Sequence, residues 1–146
     1  MSRVIVDSCG WLAYFSDEGH ADKFAPHIEG DDPVVVPSIV EYEVYRWALR
    51  ELGEDRALQY AAVLSRGVAA PVTAEAARRA ADIGHQHKLA ACDAMILAIA
   101  EHLGVPLVTA DEDLRYLPGV VFHAKPTRTG ESPKARRAAT RKPPTT

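Results

Sequence analysis

The chain has little of several residue types, and each shortage excludes a class of protein. Its two cysteines, Cys9 and Cys92, are too few for a disulfide framework, and no CxxC or Cys/His spacing indicates a zinc site. We expect both to be small buried residues in a reducing compartment. No run of about 18 uncharged apolar residues occurs, so no membrane-spanning helix is predicted. Asp7 would interrupt the apolar core of any signal peptide, and we therefore expect a cytoplasmic protein.

Charge is distributed unevenly along the 146 residues. Residues 1–123 carry ten Lys/Arg and nineteen Asp/Glu, a net charge of −9, whereas residues 124–146 carry seven Lys/Arg and one Glu, a net charge of +6. The first segment has the length and composition of one globular domain. The second is rich in Pro, Thr and Arg, and we expect a basic, disordered tail. The simpler interpretation of this tail is a solubilising extension; the functional alternative is attraction to RNA phosphates.

Short apolar, β-branched runs alternate with helical patterns throughout residues 1–123. The runs are "RVIVD", "DDPVVVPS", the weaker "GVAAPV", "VPLVTA" and "GVVFH". Between them, Ser8 is in position to cap a first helix, and 38–52, 55–65, the segment from Thr73 and "CDAMILAIAEHLG" have helical character. This alternation predicts an α/β fold, with a parallel sheet covered by helices on both faces in a three-layer α/β/α sandwich.

Three aspartates are predicted to meet at one edge of this sheet. Asp7 ends the first strand and Asp111 follows the strand "PLVT", so both lie at the carboxyl edge, where sites form in open parallel sheets. Asp93 begins a helix that runs back from the same edge. Taken singly, each has a structural explanation: Asp7 as a turn residue, Asp93 as a helix-dipole partner and Asp111 as the cap of "DEDLRYL".

A fourth carboxylate requires a choice between Glu41 and Glu43. Ser38 and Glu41 have the spacing of a capping box, which gives Glu41 a local structural task. Glu43 is three residues after Val40 and four before Trp47, beside the stripe of the helix that should face the core. A carboxylate at that position is costly unless a cation meets it, and we therefore favour Glu43.

Carboxylates gathered in a poorly solvated cleft repel each other unless a metal ion neutralises them. Oxygen ligands favour Mg²⁺ or Mn²⁺ over Zn²⁺, and hydrated Mg²⁺ can supply a water nucleophile. Such a site suits hydrolysis of phosphodiester bonds.

The stretches "VIVDSCGWLAYF", "VPSIVEYEVYR" and "CDAMILAIAEHLGVPLVTADEDL" resemble the successive acidic motifs of PIN-domain nucleases, in particular VapC-type toxins of toxin–antitoxin pairs. The resemblance spans residues 4–122. Each motif is weak by itself, but their order and spacing are specific. The family's four acids fall on Asp7, Glu43, Asp93 and Asp111, which are the catalytic and metal-binding residues that the resemblance implies.

Further positions also match the family. Ser8 and Thr109 correspond to polar positions that flank the family's metal, and Asp113 is an additional candidate that would act through water. Leu114 stands where the family commonly has Phe, a difference that should affect packing more than chemistry. The basic tail matches nothing in the family.

The resemblance implies a five-stranded parallel sheet and an Mg²⁺- or Mn²⁺-dependent endoribonuclease. It also implies a homodimer that a cognate antitoxin protein inhibits. Asp7 and Asp93 would hold the ion most directly, and Glu43 and Asp111 would complete the shell, hold a second ion or orient the attacking water. Because water attacks, the products should carry 3′-hydroxyl and 5′-phosphate ends.

Two alternatives stay open from the sequence: a housekeeping RNA-processing nuclease, and a PIN-like module that binds RNA or protein without cutting. An aspartyl phosphatase is disfavoured because Cys9 stands where its second aspartate would be. His85 and His87 are two residues apart on a helix and make a poor metal pair.

Overall fold

The computed structural model describes residues 3–17 and 19–126. Its strands are β1 (Ile5–Val6), β2 (Val35–Pro37), β3 (Val68–Ala70), β4 (Leu107–Thr109) and β5 (Val120–Phe122). Its helices are α1 (Ser8–Ser16), α2 (Ala21–Ile28), α3 (Ser38–Leu52), α4 (Glu54–Leu64), α5 (Ala74–His87) and α6 (Ala91–Leu103), with a 3-10 helix at Glu112–Leu114.

The five strands form one parallel sheet in the order β3-β2-β1-β4-β5. The prediction of an α/β fold around a five-stranded parallel sheet is confirmed. The chain builds the sheet outward from β1 to β3 and then returns to the other side of β1 with β4. The order therefore reverses between β1 and β4, which is the place where open α/β sheets bind ligands.

The core explains why the central strands are so apolar. Every residue of β1, β2 and β4 is buried, since helices cover the sheet. The helices contribute mostly Ala, Val, Leu and Ile, and the largest fully buried side chains are Trp11 and Phe24. The helix α6 is apolar on nearly every side because it lies within the molecule, with buried residues from Ala94 to Ala100.

Two glycines allow the helices their positions. A Cβ on Gly10 in α1 would lie 2.6 Å from the Phe24 ring and 2.7 Å from Val6 Cγ1, so only glycine permits this approach of α1 to β1 and α2. Gly104 ends α6 with a φ of 65°, in the left-handed region, and turns the chain directly toward β4. The turn brings the start of α6 to the carboxyl edge of the sheet.

Two capping predictions are wrong. The N-cap of α1 is Asp7, whose side chain accepts a hydrogen bond from the Ser8 amide, and Ser8 is the first helical residue. The capping box of α3 does not form, because Pro37 occupies the N-cap position. The Ser38 hydroxyl instead donates to the carbonyl of Ala70 in β3 (3.3 Å).

Other differences from the expected elements are local. Helix α2 was not predicted, because Pro26 interrupts its helical sequence pattern. On α3, Val40 and Val44 are buried as expected, but Ala48 completes the buried stripe and Trp47 is only partly covered. The prediction of a disordered tail from residue 124 concerns residues that lie mostly outside the described ranges. Within those ranges, no helix has the length and apolar character needed to cross a bilayer.

Candidate metal centre

Asp7 is the most deeply placed acid of the carboxyl edge, with only 4% of its surface exposed. Its Oδ1 accepts the Ser8 amide at 2.8 Å and its Oδ2 accepts the Thr109 hydroxyl at 2.8 Å. Burial raises the pKa of Asp7, although these two hydrogen bonds partly oppose that rise. The carboxylate is thus fixed in orientation by groups from both β4 and α1.

Asp93 lies in the first turn of α6 and is partly buried. Burial and then the negative charges of Asp7, Asp111 and Glu43 raise the pKa of Asp93 to about 7. Its position at a helix N-terminus favours the ionised carboxylate, but burial and the nearby negative charges outweigh this effect on the pKa. Asp93 is therefore a half-buried carboxylate with other acids close enough to raise its pKa further.

Asp111 follows the end of β4 by two residues and immediately precedes the 3-10 helix. Its Oδ1 accepts the Asp113 amide at 2.9 Å, and its own amide donates to the Thr109 hydroxyl at 3.0 Å. Asp111 therefore caps the 3-10 helix, which is the structural role that its sequence position indicates.

These three aspartates form the acidic cluster: Asp7, Asp93 and Asp111 each place a carboxylate oxygen within 4.8 Å of the oxygens of the other two. The predicted convergence of the three acids at one sheet edge is therefore observed. Asp7 follows β1, Asp93 lies in α6 and Asp111 follows β4, and β1 and β4 are the neighbouring strands between which the strand order reverses.

Glu43 reaches the cluster through Ser8. The Ser8 hydroxyl donates to Glu43 Oε1 at 2.7 Å and joins α3 to α1 at the edge of the site. Burial raises the pKa of Glu43, the Ser8 hydrogen bond opposes the rise, and the charges of Asp7 and Asp111 add to it. Glu41, the rejected alternative, is exposed. Glu43 is therefore the glutamate of α3 that faces the cluster.

Asp113 has a more distant place. It is exposed, and its amide donates to Asp111 Oδ1. Among the charges that raise the pKa of Asp93, that of Asp113 contributes least. The structure thus separates Asp113 from the acidic cluster itself.

Both cysteines border the site, a position that was not predicted for them. Cys9 Sγ lies 3.6 Å from Thr109 Oγ1 and 3.8 Å from Asp7 Oδ2, and it accepts the Ala110 amide at 3.5 Å. Burial and the charge of Asp7 raise the pKa of Cys9 to about 12, so its thiol stays protonated. Burial, Glu43 and Asp93 also raise the pKa of Cys92. Both thiols are free and only partly buried, rather than buried as expected. Their only sequence signal is their position next to the acids.

The donor set fits a divalent cation. The ion pairs between described residues join Arg50 to Glu51, Arg79 to Glu101 and Arg115 to Glu112, and none involves a carboxylate of the cluster or Glu43. Burial, and then the negative charges of the neighbouring acids, raise the pKa of Asp7, Glu43 and Asp93. A cation held by carboxylate oxygens would relieve the repulsion.

Comparisons with known proteins agree on one family and one fold. A family model described as "PIN domain" matches residues 4–120. No curated protein matches the sequence. Among solved structures, a toxin–antitoxin complex from Klebsiella pneumoniae has a chain with TM-score 0.70 and 22% identity, covering 84% of this chain and 99% of that one.

Two further structures are similar. DNA-bound VapBC from Salmonella typhimurium gives TM-score 0.65 at 19% identity, with 85% of this chain and 98% of that one covered. The sarcin-ricin loop cleaving toxin VapC20 of Mycobacterium tuberculosis gives 0.63 at 17% identity, with 77% and 91% covered. At these identities the likeness establishes the shared fold.

Proposed function

Since the chain belongs to the PIN domain family, we propose that it is a divalent-metal-dependent endoribonuclease that hydrolyses RNA phosphodiester bonds. The observation that carries this proposal is the acidic cluster at the reversal point of the sheet, where no described Lys or Arg forms an ion pair with Asp7, Asp93 or Asp111. Uncompensated carboxylates at a ligand-binding edge are costly for folding alone, but they are the groups that hold a catalytic cation.

The surroundings of each acidic residue indicate its role in binding the ion or activating water. Asp7 and Asp93 would hold the ion most directly, since hydrogen bonds from Ser8 and Thr109 fix the Asp7 carboxylate. Asp111 would complete the shell. Glu43 would hold a second ion or accept a proton from the attacking water, with its Oε1 held by the Ser8 hydroxyl. When bound, the ion supplies a Lewis acid that acidifies water and offsets charge on the phosphate.

We propose Mg²⁺ or Mn²⁺ as the ion. The ligands that the cluster offers are carboxylate oxygens, which suit these hard cations.

The biological setting that we propose is the cytoplasm, with this chain as the toxin of a type II toxin–antitoxin pair. Structures of similar fold are described as toxin–antitoxin complexes and VapBC assemblies. The partners would be an RNA substrate, a cognate antitoxin and a second copy of this chain. A small gene beside this one, whose product copurifies with the protein and blocks cleavage, is the expected companion. Cleavage that this product leaves unaffected would favour a processing nuclease.

RNA cleavage by the purified protein tests the proposed activity. We expect cutting with Mg²⁺ or Mn²⁺, none with EDTA, and a loss of roughly 10²- to 10⁴-fold in Asp93→Asn, which keeps the size of the side chain and removes its charge. The matched control is Asp82→Asn, which removes the charge of an exposed aspartate of α5 outside the acidic cluster. The product ends should be 3′-hydroxyl and 5′-phosphate.

Two results would contradict the proposal. Ends carrying 2′,3′-cyclic phosphate would mean that the ribose hydroxyl attacks in place of water. No cleavage of any RNA, together with no metal-induced rise in Tm, would indicate a binding module that does not cut.

A further inference from the structure

An exposed aromatic side chain follows Asp111 of the acidic cluster by five residues in the chain. Tyr116 follows the 3-10 helix and has 86% of its surface exposed, the highest value among the exposed large apolar side chains of the described residues. At that exposure it contributes little to the core. Most of its surface is therefore available to a partner.

A cation stacks between this ring and a second one. The guanidinium carbon of Arg115 lies 5.2 Å from the centroid of the Tyr116 ring and 4.8 Å from that of the Phe122 ring. Arg115 also pairs with Glu112 at 3.6 Å, with both side chains largely exposed. We call Arg115, Tyr116 and Phe122 the aromatic platform. It combines an open π face with a guanidinium held in a defined place.

The platform is connected to the acidic cluster in two ways. Phe122 in β5 is the register partner of Thr109 in β4, so the two side chains project from the same face of neighbouring strands. Thr109 in turn donates to Asp7 Oδ2. The 3-10 helix that precedes Arg115 is capped by Asp111. The platform is thus joined to the acidic cluster both through neighbouring strands and through the 3-10 helix.

Charge makes a cation useful at this place. Residues 1–123 carry a net charge of −9 and the cluster is itself acidic, so the domain as a whole repels an RNA backbone. Single-stranded RNA is held by aromatic rings, on which its bases stack, and by arginine, which contacts phosphate. The platform supplies both groups.

We propose that the aromatic platform binds single-stranded RNA beside the acidic cluster, with a base stacked on Tyr116 and a phosphate contacted by Arg115. This inference rests on the proposed ribonuclease function. It places a flanking nucleotide of the substrate on the β5 side of the site.

The test uses the full chain carrying Asp93→Asn and a short single-stranded oligoribonucleotide of mixed sequence that contains 2-aminopurine. Binding is followed by anisotropy and by quenching of 2-aminopurine fluorescence, which reports stacking. We expect Tyr116→Leu to weaken binding about tenfold and to remove the quenching, whereas Tyr116→Phe keeps both. Arg115→Ala should lower the slope of log Kd against log salt concentration by about one unit. Arg78→Ala, which removes an exposed arginine of α5, is the control and should change neither.

The platform fails as an RNA surface in either of two cases. In the first, Tyr116→Leu and Arg115→Ala bind RNA with unchanged affinity, quenching and salt dependence, which would leave a protein partner as the occupant. In the second, the parent chain with Asp93→Asn and an intact platform does not bind RNA. The proposed nuclease function fails separately, when wild-type protein with metal leaves the RNA intact. Wild-type cleavage combined with unaltered binding by both variants would overturn only the platform.

Discussion

A single buried carboxylate, Asp7, links the local structure of the chain to its chemistry. One of its oxygens caps α1 through the Ser8 amide, and the other accepts the Thr109 hydroxyl from the neighbouring strand. Thr109 is fully buried and also accepts the Asp111 amide, so one hydroxyl orders two of the three acids. Capping and ligand positioning are therefore not rival roles for Asp7, since the same hydrogen bonds serve both.

The raised pKa of Asp93 gives a pH-dependent prediction. Its value is about 7 in the folded chain against 3.8 ordinarily, so the folded state binds this proton more tightly. The resulting destabilisation is absent below about pH 4, grows as the pH rises and is complete above about pH 7. Without metal, Asp93→Asn should therefore be more stable than wild type at about pH 8. Because Asp93 is only partly buried, solvent screening limits the gain to about 1 kcal/mol, or roughly 4 °C in Tm.

Thermal unfolding in EDTA across this pH range measures the effect. The gain should shrink as the pH falls toward 4, and added Mg²⁺ should stabilise wild type more than the variant. A variant that is no more stable than wild type at high pH would show that the charge of Asp93 is already compensated in the folded chain.

At the scale of elements, tight packing of α1 determines where the site residues lie. Helix α1 carries Ser8 and Cys9 into the site and Trp11 into the core, and Gly10 lets it approach β1 and α2 closely. The helix α5 is less constrained at Gly84, where a Cβ would meet only ordinary contacts, the nearest at 3.5 Å from Ala94 Cβ. The two glycines therefore have different reasons to be present.

Alanine at these two glycines should have opposite effects. Gly10→Ala should destabilise the fold by about 1–3 kcal/mol, because its methyl overlaps the Phe24 ring and Val6. Gly84→Ala, inside α5, should stabilise it by about 0.5–1 kcal/mol through helix propensity. Urea unfolding of both variants measures the difference. Equal stabilities would mean that α1 shifts freely to relieve the overlap, contrary to its close packing.

At the scale of the whole molecule, charge separates the chain into two parts. The acidic domain suits a cation at the cluster but opposes an RNA backbone, whereas residues 124–146 carry a net charge of +6. The first residues of this segment, up to Pro126, are described; a Cβ on Gly19 would lie 3.4 Å from Pro126 Cγ. The simpler interpretation of this basic segment stays a solubilising extension, and attraction to RNA phosphates is the alternative.

Truncation after Ala124 distinguishes the two interpretations. If the segment binds RNA, its loss should weaken affinity and flatten the dependence on salt by up to about one log-log unit per phosphate contact. A full-length chain with the Lys and Arg of residues 125–146 replaced by Gln is the matched control for charge, and it should behave like the truncated chain. Salt titrations of RNA binding give the slopes. A slope that neither change alters would leave only the solubilising role.

Much of the architecture was predictable because its signals are local. The β-branched runs that became β1, β2 and β4 are apolar for the simple reason that parallel strands are buried on both faces. The choice of Glu43 over Glu41 agrees with the structure, but one of its reasons was wrong, because the capping box of Ser38 does not form. Helix periodicity alone was sufficient to place Glu43 beside the core-facing stripe.

Local sequence patterns suffice to predict the alternation of strands and helices, and hence the edge at which Asp7, Asp93 and Asp111 meet, because the directions of strands and helices follow from such patterns. Contacts between residues far apart in sequence, by contrast, arise from tertiary packing. Ser8 meets Glu43 across 35 positions and Cys9 meets Thr109 across 100, while Arg115 lies between two rings. Such contacts depend on strand register and helix packing, which no short stretch of sequence encodes.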